Sequence, residues 1–307
     1  MNANLARASD ATESIERAIW TWRGMKIGYR VCGDRGPAVV CVHGFGASSG
    51  HWRKNLPVLG VTCRCYAIDL LGFGASDKPQ PGGDVAYTFE TWGQQIVDFC
   101  RDVVGEPAFL IGNSIGCIAA MQAAVDAPDL ARGVAMLNVS LRLLHDRKRA
   151  TLPWYRSFGA PIVQKLLASK PIGHFFFQRI ARPAVVRRLL LEAYGRPDAV
   201  TDELVELILE PARTPGAADV FLSFVRYSQG PLPEDLLPEL SCPTIVLWGE
   251  NDPWEPIALG RAVVEGSPTV ERFVSLAGLG HCPQDEAPDI VNPILQTWID
   301  ERTAAIA

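Results

Sequence analysis

No apolar run in this chain approaches the roughly eighteen residues that cross a bilayer, so nothing in it reads as a membrane-spanning helix. An excess of positive charge is also missing. Lys and Arg number 29 against 34 Asp and Glu, a formal charge of −5, so composition gives no reason to expect nucleic acid as a partner. None of the eight cysteines forms a C-x-x-C pair, so the spacing implies neither a metal site nor a dithiol redox centre. Buried thiols in a reducing compartment are expected instead. Residues 1–14 lack the apolar stretch of a secretory signal; Asp10 and Glu13 stand there among small polar residues. They are expected to form a mobile tail on a cytoplasmic, unsecreted protein. Histidine is scarce, at five residues, and no internal repeat occurs.

What is present is a large apolar fraction, 48% of 307 residues, enough for a substantial core. Short β-rich runs alternate with helical ones. Strands are expected over 17–22, 26–32, 38–42, 63–68, 108–111, 133–137, 244–248 and 272–276. The first two read as an antiparallel hairpin turning at Arg23-Gly24. Helices are expected over 52–59, 88–104, 118–125 and 287–299. Apolar strands separated by helices indicate an α/β fold with a mostly parallel sheet covered on both faces. In such sheets ligands sit at the carboxyl ends of the strands. The alternation stops over 139–233, where runs at 162–168, 173–180, 184–194, 201–209 and 217–227 are helical and no strand is apparent. Thr201, followed by Asp202 and Glu203, is expected to cap its helix. The chain thus divides into a core, 15–138 and 234–303, and an inserted helical cap, 139–233.

The richest stretch is Gly112-Asn113-Ser114-Ile115-Gly116. An apolar strand precedes it and a helix follows, so Ser114 occupies the apex of a strand–turn–helix corner, the nucleophile elbow. Gly112 and Gly116 leave the backbone room for that corner. A second Gly-x-Ser-x-Gly, Gly46-Ala47-Ser48-Ser49-Gly50, is held off its strand by His43, Gly44 and Phe45. Ser48 therefore reads as loop and Ser49 as a candidate helix cap.

A serine hydroxyl needs a base within hydrogen-bond reach, and an imidazole held by a carboxylate meets that need. His281 follows a strand, sits among glycines and lies near the C-terminus, which suits the Ser…Asp…His order of this architecture. Asp252 in Trp248-Gly249-Glu250-Asn251-Asp252-Pro253 is the expected carboxylate, with Glu250 as the alternative. The loop after the preceding strand, Leu137-Asn138-Val139, carries no charge. Backbone N–H groups of Phe45 and Ile115 are the expected oxyanion donors. His43, Gly44 and Gly46 shape the Phe45 loop. His51, His145 and His174 are assigned to helix or cap surfaces. Asp69 is assigned to holding backbone amides in the turn that closes its strand. No cofactor or metal is implied.

Charge is unevenly placed. Between Val139 and Leu191 stand eleven Lys and Arg and a single acid, Asp146, interleaved with Trp154, Tyr155, Phe158, Phe175, Phe176 and Phe177. Two readings remain open: a cap that touches an anionic membrane surface peripherally, or a cap whose arginines are solvated while its aromatics roof the pocket. Oligomeric state is left open.

With these residues placed, the chain resembles the α/β-hydrolase superfamily across 15–303, which implies an eight-stranded, mostly parallel sheet and serine hydrolase chemistry on Ser114, Asp252 and His281. Ser228-Gln229-Gly230-Pro231-Leu232-Pro233, Trp254-Glu255-Pro256 and His281-Cys282-Pro283-Gln284-Asp285-Glu286-Ala287-Pro288 are similar to the pheophytinase-like dephytylase group of plants and cyanobacteria. That resemblance implies a small hydrophobic ester as substrate, with removal of phytol from chlorophyll or pheophytin as the specific expectation. Other ester, thioester, lactone or carbon–carbon hydrolysis remains an alternative, as does a non-catalytic ligand receptor or chaperone. Haloalkane dehalogenases and epoxide hydrolases share the fold but place Asp where Ser114 stands.

Overall fold

A computed structural model describes residues 15–82, 85–151 and 169–306. The tail over 1–14, the helix expected over 162–168, and Trp154, Tyr155 and Phe158 lie outside the described residues. Eight strands form one sheet in the order β1-β2-β4-β3-β5-β6-β7-β8. These are β1 (Glu16–Trp22), β2 (Met25–Cys32), β3 (Ala38–Val42), β4 (Arg64–Ile68), β5 (Ala108–Asn113), β6 (Ala131–Leu137), β7 (Thr244–Gly249) and β8 (Val270–Leu276). The hairpin β1–β2 and the pair β2–β4 are antiparallel; all other pairs are parallel. Strands β3, β5 and β7 are buried at every residue, as a sheet covered on both faces requires. The edge strands β1 and β8 expose alternate or charged positions.

The helices that matter for the site are α1 (Phe89–Phe99), α2 (Ile115–Asp126), α3 (Lys170–Ile180), α4 (Pro183–Ala193), α5 (Asp202–Ala212), α6 (Ala217–Arg226), α7 (Ile257–Val264) and α8 (Pro288–Ile306). Trp92, Ile96, Ile118 and Met121 of α1 and α2 fill one face of the sheet. Val291, Leu295 and Trp298 of α8 fill the other, joined by Leu56 and Leu59. A third apolar cluster joins α4 and α5 through Val186, Leu204 and Leu209. Between β6 and β7 the described segments are helices and turns.

Two local expectations need correction. The helix expected over 52–59 is two pieces: a 3-10 turn, Ser49–Trp52, and a short α-helix, Leu56–Leu59. Pro57 has no N–H and is tolerated only in a first turn, so the helix restarts just ahead of it. Ser49 is the first residue of that 3-10 turn and not its cap; Ser48 stands at the cap position and makes no capping bond. Thr201 caps α5 as expected, accepting a hydrogen bond from the Leu204 N–H at 3.2 Å. Asp69 also acts as expected, taking the Ser49 amide at 2.5 Å and the Ala75 amide at 2.9 Å. All eight cysteines are buried and none forms a disulfide.

Candidate active site

Loops from the carboxyl ends of β3, β5, β6, β7 and β8 gather around a cavity of about 380 Å³. Ser114 stands between β5 and α2 with φ +56°, a conformation L-residues adopt only under constraint. Two close approaches explain the flanking glycines. A Cβ on Gly112 would strike the backbone of Gly116 and Cys117, and one on Gly116 would strike the carbonyls of Val42 and His43 in the neighbouring strand. The corner therefore exists only where both neighbours are bare.

His281 lines the same cavity. Its Nδ1 lies 2.7 Å from Asp252 Oδ2, so the Nδ1–H donates to the carboxylate and Nε2 is left for another partner. Asp252 is held from several sides: the Asn138 amide donates to Oδ2 at 2.7 Å, and the N–H groups of Trp254 and Glu255 donate to Oδ1 at 2.9 and 3.1 Å. Burial works against charge on Asp252, but the His281 bond, the imidazole charge and the remaining donors outweigh it and keep the carboxyl below the ordinary aspartate range. Glu250, the alternative carboxylate, is exposed.

The His281 loop is anchored by Glu286. Its carboxylate accepts from the amides of Gly280 at 3.0 and 3.1 Å, Cys282 at 3.2 Å, Gly195 at 2.7 Å and Arg196 at 3.2 Å. The His281 N–H donates to the Ala193 carbonyl at 2.8 Å, and the Asn113 side chain donates to the His281 carbonyl at 3.0 Å. The histidine is thus fastened to both the serine corner and the end of α4.

Gly44, Phe45 and Gly46 also line the cavity, as does Ile115. Ile115 is the first residue of α2, so its N–H has no helical acceptor. Gly46 has φ +72° and turns the loop. Phe45 stacks on Phe224 of α6 at 4.6 Å between ring centroids. His43 is buried behind the loop. Its Nδ1–H donates to the Gly44 carbonyl at 2.8 Å and its Nε2 accepts from the Leu70 N–H at 3.1 Å. Burial lowers its pKa, which suits a neutral, structural ring. Ser48 lines a separate groove with Arg30 and Asp69, away from this cavity.

Across from the serine the walls are apolar: Val186, Leu189, Leu190 and Ala193 of α4, Ile208 of α5, and Phe224. Phe175 and Phe176 of α3 point outward, while Phe177 borders a smaller pocket beside Phe45. His145, expected at a surface, is instead buried and bonded to the Gly230 carbonyl, and His174 pairs with Asp219. His51 departs from the surface position expected of it. It is buried in the cavity wall, with Nε2 2.9 Å from the Tyr194 hydroxyl, which donates to Asp285 at 3.1 Å. Arg53 and Lys54 complete that network. Sequence reasoning also passed over Asn138, Ser140 and Glu255. The only hint of Asn138 was its place at the end of β6, level with the acid of β7.

Comparison with known proteins agrees with this fold. The model of the alpha/beta hydrolase family matches residues 39–294. Pheophytinase, a chloroplastic protein of Arabidopsis thaliana, is 29% identical over 296 residues, covering 86% of this chain and 61% of the relative. The chain thus spans about three fifths of that protein's length. Human epoxide hydrolase 4 is 24% identical over 295 residues, covering 91% of this chain and 77% of the relative. Among solved structures, the epoxide hydrolase CorEH superimposes with a TM-score of 0.77 at 19% identity, covering 94% of this chain and 99% of that one; at this identity the likeness concerns the fold.

Proposed function

We propose that this chain, which belongs to the alpha/beta hydrolase family, cleaves a carboxylic ester of a hydrophobic substrate through an acyl-enzyme formed on Ser114. One observation carries the reading: Ser114 and His281 line one cavity, and His281 Nδ1 is bonded to Asp252 at 2.7 Å. Ser114 adds to the ester carbonyl as His281 Nε2 takes its proton. The Phe45 and Ile115 N–H groups receive the oxyanion, a contribution worth roughly 100- to 1,000-fold per donor in related chemistry. His281 then protonates the departing alcohol, and water, deprotonated by the same imidazole, releases the acid. A serine at the corner favours this route over epoxide or haloalkane opening, which the resemblance associates with Asp at that position.

The core, 15–138 and 234–303, is proposed to carry this chemistry while 139–233 acts as its cap, supplying the apolar wall. Within the ester class we propose a long isoprenoid alcohol such as the phytol of chlorophyll or pheophytin, supported by the similarity to pheophytinase. Burying a twenty-carbon tail is worth at most about 16 kcal/mol, at about 0.8 per CH₂ and before association costs. The experiment has two stages. A fluorophosphonate should label the wild type and not Ser114→Ala; equal labelling, or loss only in Ser48→Ala, overturns the serine assignment. Mass spectrometry after incubation with chlorophyll a, pheophytin a and simple lipid esters then reads the substrate, and cleavage of the lipid esters alone removes the phytol proposal.

Peripheral membrane contact through the cap is a second proposal. No described helix is long and apolar enough to cross a membrane. Ile172, Phe175 and Phe176 of α3 and Leu189 and Leu191 of α4 are exposed, among the exposed basic residues Lys170, Arg179, Arg182 and Arg188. An anionic bilayer meets both demands at once. Co-sedimentation with vesicles of phosphatidylglycerol should exceed that with phosphatidylcholine and fall with salt; no salt-sensitive difference rejects the contact.

A further inference from the structure

Glu255 is a buried carboxyl in the wall of the cavity that holds Ser114 and His281, only 8% exposed. Its main chain is fixed on both sides: the N–H donates to Asp252 Oδ1, and the carbonyl accepts from Trp248 Nε1 at 2.9 Å. The side chain is half satisfied. Oε1 accepts from the Ser140 hydroxyl at 3.1 Å, while Oε2 is buried with no hydrogen-bond partner. An ionised carboxylate with an empty buried oxygen carries a large desolvation cost, and a neutral acid relieves it. A proton on Oε2 would make that oxygen a donor on a residue that lines the substrate cavity.

We propose that Glu255 acts as a neutral hydrogen-bond donor in the substrate cavity and selects esters that carry a second acceptor oxygen, an ether or carbonyl, close to the scissile group. The inference rests on the hydrolase reading and adds a specificity determinant to it. The surrounding groups are consistent with a protonated acid. Burial is the leading influence and pushes the carboxyl up to about 7; the Asp252 charge works in the same direction, while the Leu141 N–H, the His281 charge and Ser140 oppose it. Glu192 of α4 approaches the same loop, accepting from Trp254 Nε1 at 3.4 Å. An empty donor beside apolar walls discriminates strongly, because an all-carbon ligand leaves it unpaired.

The test compares a medium-chain ester with analogues in which one methylene is replaced by an ether oxygen at successive positions in the acyl or alcohol part. In the wild type at least one oxa-ester should exceed its all-carbon parent by roughly three- to tenfold in kcat/KM. Glu255→Gln, which keeps an N–H donor, should retain that ratio, and Glu255→Leu should lose it. The wild-type ratio should fall as pH rises through about 7, while the Gln ratio stays flat. Equilibrium binding of the same pairs to Ser114→Ala reads selectivity without turnover. A binding preference without wild-type hydrolysis would sink the hydrolase reading and leave this inference standing. No preferred oxa-ester, or a preference that survives in Glu255→Leu, overturns it.

Discussion

Asn138 adopts φ +45° at the end of β6 and is fully buried, and its amide does two things there. Nδ2 donates to Asp252, and Oδ1 accepts from the Gly249 N–H at 3.0 Å. It therefore fixes the carboxylate that fixes the imidazole. Asn138→Leu should lower kcat/KM by roughly tenfold or more, since a hydrogen bond to a charged group is lost. Asn138→Asp should place a second negative charge beside Asp252 and move the acid limb of the kcat/KM profile to higher pH. A merely structural residue would change stability and leave that limb in place. The positions of Ser114, Asp252 and His281 were legible in the sequence because each sits in a loop whose glycines and preceding strand mark it. Asn138, Glu255 and His51 were not. Their partners lie more than a hundred residues away in the chain, as with Asn138 to Asp252, Glu255 to Ser140 and His51 to Tyr194, and no local pattern encodes such a contact.

At the scale of elements, periodicity placed all eight strands, and apart from the break within 52–59 the differences lie at the ends. Helix α8 runs to Ile306, past the expected stop at 299, because Glu301 and Arg302 pair with Arg272 and Glu271 of β8 and carry the helix along that edge. Helix α1 stops at Phe99 and widens into a π-turn, Cys100–Val104, which ends at Gly105 with φ +76°. The junction of β5, α2 and β3 is closely packed. Gly116→Ala forces a methyl into the Val42 and His43 carbonyls. It should destabilise the fold by roughly 1–3 kcal/mol in urea titration, and activity should fall further than stability because Ser114 moves with the corner. Wild-type stability in that variant would show the packing to be looser than described.

At the scale of the whole molecule, four buried acids, Asp252, Asp285, Glu255 and Glu286, divide by sign. Asp252 and Asp285 are held low: burial opposes their charge, but positive partners and donors prevail. Their stabilisation is complete above the ordinary aspartate range and is lost as pH falls through their depressed values. Glu255 is pushed to about 7 and Glu286 upward, both by burial. For both, the unfolded chain releases its proton first; Glu255 therefore makes stability decline as pH climbs from about 4.5 towards 7. Melting curves across that interval should slope downward for the wild type and less steeply for Glu255→Gln; parallel curves would show that Glu255 ionises alike in both states.

The Glu286 carboxylate grips the loop on either side of His281 with one hand and the turn after α4 with the other. The wall over the cavity and the proton-carrying ring are therefore geared together. Any displacement of α4 would therefore be felt at the loop that carries the imidazole.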